Sequence, residues 1–283
     1  MDTKSSRSHA FSLLELLVAM AITLLLVVLL AQIVGSVSFA WKSGNSNAER
    51  RQNGRALTDF IAQELRAAIL PLGGSSAGQT NLQFILNPDA VTAANRNPSA
   101  LFWQAPMARN STAGDLAEYG YFVRWSTGNP PRASLCRFMV DSDDTNNWYQ
   151  IYSNQTWVDD NLLAQAAPAD SASGYLGLFA ENVVGFWTRC LDKNGVELKP
   201  AGGQYDSRTE SALPFSVEVS LVLLDERTAG LMNASLQSQL SGLVNSATNA
   251  ADCIAQIQSA AGLGVFAKGA RAYTTRVFLE NAR

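Results

Sequence analysis

Residues 11–41 read FSLLELLVAMAITLLLVVLLAQIVGSVSFAW, and the fold of the chain follows from how this stretch is disposed. From Leu16 to Trp41 there are 26 residues without a charge, interrupted mainly by Thr23, Gln32, Ser36 and Ser38. As a helix rising ~1.5 Å per residue the run reaches roughly 39 Å, more than the ~30 Å hydrocarbon core of a bilayer. No second stretch of this kind occurs in the sequence, so one membrane crossing is expected. A secretory signal peptide is the plain alternative, with Lys4 and Arg7 ahead of the run and small residues near Ser38 and Ala40. Its apolar region would span only roughly 7–15 residues, far fewer than here. Glu15 is the second difficulty. A carboxylate inside a lipid-embedded helix costs roughly 2.5–3.5 kcal/mol on insertion scales, less near the interface, so it needs a partner.

The 283 residues allow one large domain or two small ones, at roughly 100–200 residues each. With 47% hydrophobic residues, 20 Gly and 9 Pro, the chain is neither disordered nor collagen-like. A formal net charge of −3 argues against nucleic acid as the main partner, because phosphate binding needs a clustered positive field. Three cysteines cannot build a disulfide-rich scaffold.

The run from Ala10 to Met20, AFSLLELLVAM, resembles the N-terminal processing motif of type IV prepilins and type II secretion pseudopilins. The resemblance implies a prepilin peptidase that cuts between Ala10 and Phe11 on the cytoplasmic side and N-methylates Phe11. Ala10 stands where that family usually has Gly. The resemblance also implies that Glu15 pairs with the amino group of Phe11 on a neighbouring subunit during assembly. Such a pair is worth little against apolar replacements, but either member left unpaired is costly, so it acts as a register device. The rival for Glu15 is a side chain that snorkels to the interface. Lys42, Arg50, Arg51 and Arg55 follow the span, so a simple positive-inside count points the other way. The resemblance implies instead a cytoplasmic leader and a translocated C-terminal part.

Beyond the span, Leu57, Phe60, Ile61, Leu65, Ala68 and Ile69 recur at spacings of three and four, with Asp59, Gln63, Glu64 and Arg66 between them. The helix is therefore expected to continue to about Leu70, ended by Pro71 and Gly73-Gly74. Gly44, Asn45, Asn53 and Gly54 weaken its middle. The expected divisions are a leader over 1–10, a membrane or filament-core helix over 11–41, its amphipathic continuation over 42–70 and a β-rich domain over 71–283. Strands are predicted at 82–86, 100–104, 118–126, 135–140, 148–152, 183–191, 215–224 and 272–279. The clearest alternates Phe215, Val217, Val219, Leu221 and Leu223 with Ser216, Glu218 and Ser220, a half-buried antiparallel pattern. One or two short surface helices are predicted within 233–261. The fold class is α+β, with a long N-terminal helix packed on an antiparallel sheet, which is also the pilin fold. The segments around 181–186, 213–219 and 274–279 look like the larger minor pseudopilins and minor pilins. Among these the chain is similar to the group called Verru_Chthon cassette protein C.

Chemistry finds little support in the sequence. The single histidine, His9, lies in the expected leader, which leaves no Ser-His-Asp or Cys-His arrangement and no His-ligated metal in the processed chain. No phosphate-binding loop occurs. An enzyme is not expected, and no cofactor is implied. Asp141, Asp143 and Asp144, with two asparagines following, offer hard oxygen ligands that suit calcium, although position six is Asn146 and position twelve Tyr152, unlike an EF-hand. Asp and Asn are equally turn residues, and the hairpin reading is preferred. Cys136 and Cys190 fall on predicted strands, where a disulfide is one possibility and buried free thiols another. The aromatics Trp103, Tyr119, Tyr121, Phe122 and Trp125 suit core packing better than a sugar platform.

The expected function is that of a structural subunit, a minor pilin or pseudopilin of a type IV pilus-like or type II secretion filament. It would sit as a single-pass protein in a bacterial inner membrane, with its domain in the periplasm. Its partners would be the prepilin peptidase/methyltransferase, other pilin-like subunits and the assembly platform. The alternatives are a permanently anchored periplasmic binding protein and a secreted β-rich enzyme behind a signal peptide.

Overall fold

The structure, a computed structural model, describes residues 13–69, 83–106, 116–150, 157–167, 177–199, 203–210 and 212–280. Its contacts divide the chain into two units, Met1–Glu49 and Arg50–Arg283. Helix α1 covers Leu13–Arg66, and its backbone is helical through Gly44, Asn45, Asn53 and Gly54. These residues lower helix propensity by at most about 1 kcal/mol each, less than the packing that follows them contributes.

In the second unit, Leu57, Ile61, Ala62, Leu65 and Ala68 of α1 are buried. Gly54 has a packing reason: the ring of Tyr273 lies where a Cβ would stand. The strands are β1 (Phe84–Leu86), β2 (Ala100–Pro106), β3 (Leu116–Trp125), β4 (Ala133–Asp141), β5 (Gly177–Glu181), β6 (Val183–Leu191), β7 (Tyr205–Asp206), β8 (Ser216–Leu224) and β9 (Ala270–Phe278). Helices α2 (Asp160–Ala166), α3 (Ser207–Glu210), α4 (Glu226–Ala229), α5 (Ala234–Ser246), α6 (Ala250–Ser259) and α7 (Gly264–Gly269) complete the order. The α+β class holds, with every strand pair antiparallel.

The strands form two sheets, not one: β5-β4-β3-β2-β1-β7 and β6-β8-β9. A single residue makes the division. Asn182 has φ +64°, in the left-handed region that Asn tolerates, and turns the chain from β5 into β6. Its N–H donates to the Ala133 carbonyl at 2.8 Å, and its carbonyl accepts from Leu224 N–H at 2.9 Å, so its backbone is bonded to both sheets. Its side chain accepts from Arg132 and donates to Glu226.

The main core gathers the buried face of α1, one face of the large sheet (Leu101, Trp103, Tyr119, Tyr121, Leu135) and β6, β8 and α5–α7. The other face of the large sheet carries Phe102, Phe122, Cys136, Phe138 and Val140, and is covered by Trp157, Val158 and α2. Gly120 stands opposite Phe102 and leaves room for that ring against the backbone.

Three sequence expectations change. Strand β8 is not half-buried, because both its faces are covered: Ser216 and Ser220 are as enclosed as Val217 and Val219, while Phe215 lies before the strand and is exposed. The covering elements are α5 and α6, which are not merely surface helices. Leu240, Val244, Cys253 and Ile257 enter the core, and Trp187 Nε1 donates to the Ala247 carbonyl at 2.9 Å. The helices start at Asn233 and Asn249, whose side chains accept from Leu236 and Asp252 N–H as N-caps. Residues 148–150 of the expected strand 148–152 form no strand, and 151–152 lie outside the described residues. Side chains claim the donors a ladder would use: Asp144 accepts from Trp148 N–H at 2.5 Å, and Glu118 accepts from Gln150 N–H at 3.2 Å.

Candidate functional site

Of the residues the sequence assigns to processing and assembly, Ala10 and Phe11 lie outside the described residues, and Glu15 is the third residue of α1. Immediately after it, Leu16–Val37 forms 22 residues of helix with a mean hydropathy of 2.9 and none of its surface buried in the protein. At ~1.5 Å per residue these reach roughly 33 Å, enough to cross a hydrocarbon core. Leu17, Val18, Leu24, Leu25, Val28, Ile33 and Val34 are all exposed, so the segment is apolar around its full circumference. Such a helix is a membrane span or a subunit contact, not the stripe of a soluble helix. Its hydroxyls turn back on the backbone: Thr23 Oγ1 donates to the Ala19 carbonyl at 2.8 Å and Ser36 Oγ to Gln32 at 2.9 Å. That satisfies polar groups that lipid cannot.

Within the second unit, a polar lock holds the last turns of α1 on the large sheet. Arg137, in the middle of β4, presents Nε 3.2 Å from both carboxylate oxygens of Glu64, and its Nη2 also bonds Glu64. Tyr121 OH donates to the same carboxylate. The guanidinium lies over the rings of Phe60 and Tyr119, 5.7 and 5.4 Å from their centroids. The side chains of Arg137 and Glu64 are 4% and 14% exposed. Burial, then the Glu64 charge, pushes the Tyr121 hydroxyl well above its usual range. Burial works against the Arg137 charge, but the Glu64 contacts outweigh it and its pKa rises. The helical spacing sets Glu64 among solvent-facing residues; the structure places it in this enclosed pair. The signal was Arg137 itself, an arginine within the apolar run of 135–140, where a buried cation needs a carboxylate.

The remaining candidates separate. Cys136 lies under the second face of the large sheet and Cys190 in the main core, so of the two alternatives left open for them the free, buried thiol is the one found, for these two and for Cys253. Burial raises Cys136 to about 11 and Cys253 to about 12, and lifts Cys190 as well, which keeps them protonated and unreactive. Asp141 is the last residue of β4, and Asp143 and Asp144 lie in the turn after it. The Asp144 carboxylate accepts from the N–H groups of Asn146, Trp148 and Tyr149, the bonding of a turn residue. Among the described residues no three His, Cys, Asp or Glu side chains converge as a metal ion requires. Trp103, Tyr119, Tyr121 and Phe122 are core residues, Trp103 stacking on Tyr119 and Tyr121 at 5.9 and 5.8 Å. Sequence reasoning also missed Glu118, fully buried on β3, whose carboxyl burial pushes up to about 8.

Residues 5–31 match the prokaryotic N-terminal methylation motif. The chain carries a prepilin-type methylation motif. That motif indicates a pilin-like protein, processed in the prepilin manner, with an N-terminal hydrophobic helix; it implies cleavage by a prepilin peptidase and assembly with other pilins. It points to a structural rather than an enzymatic protein. Among the described residues one helix is long and apolar enough to cross a membrane, which agrees with single-pass membrane anchoring. The match ends within α1, so the resemblances drawn from the C-terminal strands fall outside it. No curated protein and no solved structure matches the chain.

Proposed function

We propose that the chain is a minor, low-copy subunit of a type IV pilus-like or type II secretion filament. The precursor inserts in the inner membrane with its leader in the cytoplasm and its domain in the periplasm. The peptidase cleaves between Ala10 and Phe11 and methylates Phe11. The carboxylate of Glu15 then neutralises the Phe11 amino group of a neighbouring subunit, removing two charges from lipid together. The observation that carries this reading is the coincidence of the motif, over residues 5–31, with an apolar helix exposed all round. The large β-rich unit supports a low-copy or tip position, since bulky domains pack poorly in a long helical array.

The mass of the N-terminal peptide of the membrane-extracted protein tests it. A peptide starting at N-methylated Phe11 is the expected result. An intact leader would sink the proposal in favour of a permanently anchored binding protein. A start at Trp41 would indicate a secreted protein released by a signal peptidase.

A further inference from the structure

The small sheet has an open edge. Strand β9 pairs with β8 on one side, and no described strand pairs with its other side. Two bonds fix which of its groups face outward. Leu279 N–H donates to the Phe215 carbonyl at 3.2 Å and Asp225 N–H to the Gly269 carbonyl at 3.0 Å, so the odd-numbered residues of β9 turn their backbone groups to β8. The N–H and carbonyl groups of Ala272, Thr274, Arg276 and Phe278 therefore point away from the sheet, and no described residue bonds them. With nine residues this edge is longer than β5 and β7, the five- and two-residue edges of the large sheet. The outer side of β6 is in use: Phe186 N–H donates to the Asn97 carbonyl at 2.7 Å, and its carbonyl accepts from Ser99 N–H at 3.0 Å.

The side chains along this edge are one-sided in charge. Lys268, Arg271 and Arg276 stand against the single acid Glu280 over 268–280, in a chain whose net charge is −3. Arg276 bonds Glu218 at 3.0 Å, whereas Arg271 bonds, among the described residues, only the adjacent Ala270 carbonyl at 3.2 Å. At the end of the strand the exposed rings of Phe278 and Phe215 meet edge to face, with centroids 5.8 Å apart. Unpaired backbone groups along an edge are a template for another strand, and the charges decide which strand is accepted. A second copy would lay two basic strands side by side, and like charges across a strand pair are destabilising. A strand with carboxylates beside Arg271 and Arg276 and an apolar side chain beside Phe278 instead satisfies the charge and covers the exposed ring.

We propose that the outer edge of β9 takes an extended, acidic segment of a neighbouring pilin-like subunit as a fourth strand of the small sheet. Main-chain bonds to Ala272, Thr274, Arg276 and Phe278 hold the segment, and Arg271, Arg276 and Phe278 select it. That a neighbouring subunit supplies the segment rests on the assembly role proposed above; the recognition of an acidic strand does not.

The probe is the end-blocked peptide VTETVTVE, which antiparallel to β9 sets Val beside Phe278 and Glu beside both Arg276 and Arg271; VTKTVTVK is its basic counterpart. Amide hydrogen exchange of the full chain in micelles, read residue by residue by NMR, is the measurement. Without peptide the amides of Ala272, Thr274, Arg276 and Phe278 should exchange faster than those of Tyr273, Thr275 and Val277. The acidic peptide is expected to protect the four outer amides, and the basic one to leave them fast. Arg271→Glu changes an exposed side chain, and should weaken VTETVTVE about tenfold at an unchanged melting temperature. The same variant should recover binding to VTETVTVK, which puts Lys beside the new carboxylate. Outer amides already protected in the free chain, protection that grows with protein concentration, no protection by the acidic peptide, or equal protection by the basic one would each overturn the inference. An N-methylated Phe11 found alongside any of these would leave the assembly reading standing.

Discussion

Replacing Glu64 with Ala should destabilise the second unit far more than a helix-surface change. Arg137 is 4% exposed, and the Glu64 carboxylate is the acceptor for both its Nε and its Nη2. Removing it leaves a guanidinium enclosed by Phe60 and Tyr119, and takes the acceptor from Tyr121 OH. Breaking a buried pair from one side costs about 3–5 kcal/mol, whereas an exposed pair is worth 1 kcal/mol at most. For a unit of this size the melting temperature moves about 2–4 °C per kcal/mol, so a fall of roughly 6–20 °C is expected. Arg137→Met instead leaves the buried carboxylate without its cation, still bonded by Tyr121 OH, and should cost a similar amount. The double variant Glu64→Leu/Arg137→Met buries no charge and should recover most of the loss, because apolar replacement of a whole buried pair is often neutral or better. Urea melts of the full chain in micelles, followed by circular dichroism, give all three values without ionic screening. The reasoning fails if each single variant costs under about 1 kcal/mol, or if the two losses simply add.

Glu118→Gln should abolish a pH dependence that the wild type shows. The buried carboxyl is pushed to about 8 from an ordinary 4.5, chiefly by desolvation. Between those values the folded state holds a proton that the unfolded state has released, so stability falls as pH rises from about 5 to 8, by up to ~1.4 kcal/mol per pH unit. The Gln variant keeps the acceptor for Gln150 N–H, and its melts at pH 5 and 8 should agree; a wild type equally stable at both would refute this. Gly54→Ala, which in a solvated helix gains up to about 1 kcal/mol, should here destabilise by about 1–3 kcal/mol, because the new Cβ meets the Tyr273 ring. Adding Tyr273→Ala should make that same substitution harmless in a melting assay. On the proposed assembly, Glu15→Leu should insert normally yet fail to enter filaments in a cross-linking assay; normal incorporation would remove the pairing role.

How legible each part was depended on the range of the interactions that shape it. Helix α1 and seven of the eight expected strands rest on local periodicity; the exception is the 148–150 segment, where Asp144 and Glu118 take the backbone donors. Strands β5 and β7 carry no alternation of their own and are strands because β4 and β1 offer them ladders. Glu64 looked like a solvated residue because helical spacing reports which residues share a face, not what a distant strand brings to that face. Arg137 becomes its partner through β4, 73 positions further along the chain.

The membrane helix and the processing motif are legible without any structure, since both are written in contiguous residues: an uncharged run, a single glutamate and an aromatic after a small residue. Lipid solvation acts on each residue of such a run independently, so no tertiary partner is needed to read it. Tertiary contacts alone set the division into two sheets at Asn182, the covering of β8 on both faces and the separation of Cys136 from Cys190. Each of these depends on which remote segments meet, and that is set by packing among surfaces far apart in the chain.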